Sequence, residues 1–67
     1  MLTDVDLAKV IQQILNTDVN EPAKIEEILT ATIPVIREDV IKTFRFNQDV
    51  RMLYPEYAYY FDNRPAV

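Results

Sequence analysis

A chain of 67 residues with a net charge of −4 and no Cys, His, Gly or Trp reads as one small domain with few chemistries open to it. Without Cys there are no disulfides or thiolate metal sites, and without His the commonest metal ligand and the usual general base near neutral pH are missing. A domain this short buries only about 60% of the surface its unfolded chain exposes, so association with another chain, or with copies of itself, is the remaining way to add stability.

Leu, Ile, Val and Phe supply about a third of the residues, well above the composition at which folding fails. No apolar run approaches the roughly 20 residues that span a bilayer, so no membrane partner is expected. The start, Met1-Leu2-Thr3-Asp4, lacks the basic and apolar stretches of a signal peptide, and a cytoplasmic location is the expectation. Residues 1–36 carry six acidic and two basic side chains, whereas residues 37–67 are balanced, five against five. An acidic front half repels nucleic acid and suits a basic protein. The absence of Gly argues for helices over tight hairpins, with Asn16, Asn20, Asn47 and Asn63 as candidates for left-handed backbone at helix ends.

The first helix is predicted over residues 4–16. Thr3 is a good N-cap, Asp4 and Asp6 complement the positive end of the dipole, and Leu2 and Leu7 stand at the positions of a hydrophobic staple. Leu7, Ile11 and Ile14 recur at helical spacing with Val10 and Leu15 beside them, while Lys9, Gln12 and Gln13 face out.

The second element covers residues 22–45, with Asn20 as its cap and Pro22 in its first turn. Ile25, Leu29, Ile36, Val40 and Phe44 form one stripe, joined by Ile28 and Ile33. Pro34 falls inside this pattern, where a helix would lose a hydrogen bond at a cost of about 3 kcal/mol. The segment is therefore one helix kinked at Pro34 or two helices meeting near Thr32-Ile33. The stripe holds its phase across Pro34, which favours the kink.

Residues 47–61 are aromatic. Asn47-Gln48-Asp49 starts a short helix carrying Val50, Leu53 and Tyr54, and Pro55 restarts the chain into Glu56–Phe61. All four Tyr lie between positions 54 and 61. Tyr57, Tyr60 and Phe61 share a face if this stretch is helical; Tyr57 and Tyr59 share one if it is extended. Residues 62–67 read as a tail. The expected fold is all-α and a single domain over 1–67: two or three helices, then a short helix or an extended Tyr-rich arm.

Catalysis finds no equipment. The chain has no Ser, so a nucleophile with a paired base is missing, and Lys9, Lys24 and Lys42 fall on polar helix faces. Phosphate-cradling loops need Gly. The neighbouring carboxylates Asp4/Asp6, Glu26/Glu27 and Glu38/Asp39 diverge on a helix. No catalytic, cofactor or metal site is expected, and no small-molecule substrate. Arg37, Lys42, Arg45 and Arg51 interleave with Phe44 and Phe46, but Glu38, Asp39, Asp49 and the negative total argue against nucleic acid.

Binding to protein is what remains. Tyr joins a large apolar ring to a polar tip at little entropic cost, so Tyr54, Tyr57, Tyr59 and Tyr60, with Phe61, are the candidate contact residues. Tyr57 and Phe61 are expected to turn inward, Tyr59 and Tyr60 outward. Ile36, Val40 and Phe44 join the contact set if two helices bury only part of the stripe. The leading expectation is a non-catalytic interaction module, a small subunit of a larger assembly or a homo-oligomer. The alternative is a small acidic inhibitor, antitoxin-like, nucleic-acid-mimicking or phage-encoded, that blocks a basic site on its target.

Overall fold

The computed structural model describes residues 3–64. The described residues are all-α, with no strand, and form five helices: α1 (Asp4–Leu15), α2 (Pro22–Ala31), α3 (Pro34–Phe46), α4 (Gln48–Leu53) and α5 (Pro55–Asp62). The staple of Leu2 on Leu7 and the end of the tail lie outside these residues.

Helix α1 begins as its sequence dictates. The Thr3 hydroxyl accepts from the Asp6 N–H at 3.3 Å, and the Asp6 carboxylate accepts from the Thr3 N–H at 3.3 Å, closing a capping box. Three of the other helices start differently, with Pro22, Pro34 and Pro55 each at the first helical position. There a missing N–H costs nothing and the fixed φ suits the helix. Proline also forces the residue before it out of the helical region. Ile33 is accordingly extended, with ψ of 151°; Thr32 before it is extended too, with ψ of 154°, and its hydroxyl donates to the Leu29 carbonyl at 2.7 Å. Residues 22–45 are thus two helices, and the kink gives way to a break.

The expected left-handed asparagines are absent too: no described residue has positive φ, and Asn16, Asn47 and Asn63 have φ of −81°, −77° and −122°. Asn16 keeps right-handed helical backbone and Asn47 turns extended, so these helix ends are reached without a left-handed cap. Asn47 instead caps α4, accepting from the Val50 N–H at 3.1 Å. Asn20 does not cap α2; its N–H donates to the Asp18 carboxylate at 2.9 Å within the α1–α2 turn, and Glu21 takes the cap position.

Helix α3 is the centre of the fold, packing on α1, α4 and α5, while α2 packs on α1. Ile14, Ile25, Leu29, Val40, Phe44 and Phe61 are fully out of water, and each contributes roughly 1.5–3 kcal/mol by that burial. The stripe survives the break at Thr32-Ile33 because both helices turn it toward this one core; only Ile33, in the break itself, is half exposed at 48%. The aromatic segment is helical, α4 and then α5, and it is α5 that closes the core with Ala58, Tyr60 and Phe61. No helix of the described residues is long and apolar enough to cross a membrane.

Candidate interaction surfaces

Along α5, positions 57, 60 and 61 fall on one side and 56, 59 and 63 on another, as the 3.6-residue repeat requires. Phe61 stacks on Phe44 with ring centroids 4.8 Å apart and planes 12° from parallel. Tyr60 meets Phe61 edge-on at 4.9 Å, and Tyr57 leans on Phe44 at 5.9 Å. Such pairs add about 0.5–1.5 kcal/mol each beyond the area they bury.

Both inward tyrosines find partners for their hydroxyls. Tyr57 donates to the carbonyl of Thr17, where α1 ends, and Tyr60 donates to the Glu26 carboxylate at 2.9 Å. Arg64 grips the same carboxylate with two hydrogen bonds, 2.9 Å from Nε and 2.6 Å from Nη2. Burial opposes the charge on Glu26, but the Arg64 guanidinium and the Tyr60 hydroxyl outweigh it and hold the carboxyl below its usual range. Burial and the adjacent Glu26 push the Tyr60 hydroxyl up to about 12. Burial also raises Tyr57, helped by the nearby charges of Asp18 and Glu56. A second fork ties α4 to α5: Arg51 grips Asp62 at 3.1 and 2.9 Å and donates to the Arg45 carbonyl at 2.6 Å. Hydrogen bonds from Arg51 hold the Asp62 carboxyl below its ordinary value.

The contact residues expected from sequence therefore divide. Ile36, Val40, Phe44, Tyr60 and Phe61 are buried in the chain's own core. Tyr57 is half-buried over α1. Tyr54 and Tyr59 stand in solvent, Tyr59 at 72% exposure. Phe61 turns inward and Tyr59 outward as expected, but Tyr60 turns inward, because Glu26 and Arg64 give its hydroxyl a charged partner at the core's edge.

Other apolar side chains hold the surface. Phe46, Met52 and Leu53 are 70%, 74% and 72% exposed, beside Tyr54 at 36%. Helix α4 is the unusual element, for it has no buried residue at all. Val50 packs against the core from outside and the Arg51 fork holds the helix in place, while Met52 and Leu53 point to solvent. The described residues also form hollows. One of about 780 Å³ runs between α1 and α2, with Val10, Ile28 and Ala31 in its lining and Lys9, Lys24 and Glu27 among its polar residues. The other, about 610 Å³, lies between the α1–α2 turn and α5.

No protein-family model matches the chain, and neither a curated protein nor a solved structure matches it.

No described side-chain nitrogen or oxygen is buried without a hydrogen-bond partner, so the core holds no unmet polar group pointing to an internal ligand site.

Proposed function

We propose that this chain is a non-catalytic protein-interaction module whose contact surface centres on α4 and the exposed aromatics that flank it. The observation that carries the reading is the exposure of Met52 and Leu53 on a helix with no fully buried residue, while α5 already closes the core. Folding does not use these side chains, and adjacent exposed apolar groups of this size are a cost that a partner relieves. Phe46, Tyr54 and Tyr59 extend the apolar and aromatic surface available to such a partner.

Met52→Asp with Leu53→Asp tests this. Sedimentation of the wild-type chain alone detects self-association, and affinity capture followed by reconstitution with the purified captured protein detects another partner. At least a tenfold loss of binding in the double variant, with helicity unchanged, supports the reading. Association indifferent to both substitutions removes it.

A second reading, an acidic inhibitor of a basic site, is favoured by the charge left after internal pairing. Arg45, Arg51 and Arg64 are spent on Asp62 and Glu26, and Lys24 on Glu21. The remaining carboxylates outnumber Lys9, Arg37 and Lys42. Such a complex weakens steeply as salt rises, whereas the α4 contact does not.

A further inference from the structure

The hollow between the α1–α2 turn and α5 is lined by aromatic, amide and carboxylate side chains. One wall runs along α5 and its C-cap, with Glu56, Tyr59, Asn63 and the buried Tyr60; the other is Val19 and Asn20. Among these residues Glu56 carries the only formal charge. Every described ion pair leaves Glu56 out, and no described hydrogen bond uses its carboxylate. Beside it the Tyr59 ring is 72% exposed. The Asn63 amide nitrogen donates to the Tyr59 carbonyl at 3.1 Å, which leaves its own side-chain oxygen as an acceptor. Asp18, in the turn that carries the far wall, and Glu56 both act on the hydroxyl of Tyr57, while Arg64, held by Glu26, acts on that of Tyr60. One carboxylate, an accessible aromatic face and an amide acceptor, with no cation among them, are the parts that hold a guanidinium or ammonium group.

We infer that this hollow receives one basic side chain of the partner protein, arginine in preference to lysine. Glu56 meets the charge and Tyr59 stacks on the planar guanidinium, which an ammonium cannot match. The inference deepens the proposal above and rests on it, because it supplies the polar anchor that an apolar α4 contact lacks.

The test is a titration of the isotopically labelled chain, followed by amide resonances, with N-acetyl-arginine amide and with its neutral isostere N-acetyl-citrulline amide. The arginine probe is expected to shift Val19, Asn20, Tyr59, Tyr60 and Asn63 saturably, and Glu56→Gln to weaken it by about tenfold, the worth of one charged hydrogen bond. Tyr59→Ala is expected to weaken it further with the amide spectrum of the core unchanged. Equal binding of the citrulline probe, shifts scattered over Asp4, Glu38 and Asp39, or indifference to Glu56→Gln overturns the inference. So does a tighter fit of spermidine at the same residues, which would make the hollow a site for small polycations. Failure here leaves the dependence of association on Met52 and Leu53 as a separate readout.

Discussion

Helices α4 and α5 are neighbours of six and eight residues, both rich in large apolar side chains and tied together through Arg51 and Asp62. Helix α5 buries Ala58, Tyr60 and Phe61; α4 has no fully buried residue and only Val50 packs against the core. Hydropathy does not separate them, since Met52 and Leu53 are as apolar as anything in α5. Reach does. Helix α5 lies along α3, with Phe61 stacked on Phe44, and its two inward hydroxyls land on Glu26 and on the end of α1. Helix α4 ends at Leu53 because Pro55 forces Tyr54 off the helical path, so α4 is too short to turn a full face to the core. In this domain burial goes to α5, and α4 stays at the surface with only Val50 packed against the core.

The largest break in this comparison comes from α5. Phe61→Ala removes a fully buried ring and its stacking partner, at about 3–5 kcal/mol, comparable with the whole stability of a small domain. Thermal melting followed by circular dichroism is expected to show no cooperative transition, with Phe61→Leu retaining a weakened one. A cooperative, near-native melt for the alanine variant would mean that α5 is dispensable.

Arg64→Ala is expected to cost less, about 1–2 kcal/mol, because the pair it breaks is only partly buried, at 20% and 18% side-chain exposure. Its pH signature is more specific. The folded carboxyl of Glu26 is depressed, so its contribution is present above the unfolded value of 4.5 and is lost as pH falls through the folded one. The Tyr60 hydroxyl is raised from 10.0 to about 12, so its contribution is present below 10 and is lost as pH rises toward 12. Urea midpoints of the wild type are expected to fall at both ends of this range. In Arg64→Ala the acid-side fall shrinks; an identical acid limb in both proteins would separate Glu26 from Arg64.

Much of the fold was legible before the structure. The Thr3 cap, the buried Ile14, the stripe from Ile25 to Phe44 and the inward Phe61 follow from spacing and side-chain chemistry alone. Pro34 could be read two ways because the stripe keeps its phase whether the helix bends or breaks, and periodicity cannot see the extended backbone at Thr32-Ile33. The surface was harder to read. Helical spacing groups Tyr60 with Tyr57 and Phe61, but the partner that holds its hydroxyl, Glu26, is 34 positions away and no local pattern names it. Met52 and Leu53 sit in a six-residue helix, too brief for a periodic signal, so nothing in the sequence marks them as outward. The hollow at Glu56 joins α5 to a turn more than 30 residues earlier in the chain, and only tertiary packing brings them together.

The central claim, that α4 displays apolar side chains the fold does not use, is tested most directly by urea unfolding of Met52→Asp with Leu53→Asp against the wild type, at a concentration where both are monomeric. The free energies are expected to agree within about 0.5 kcal/mol, as for surface positions generally, with the same urea dependence. A loss above about 2 kcal/mol would place these side chains in the core and take away the surface on which the proposed function rests.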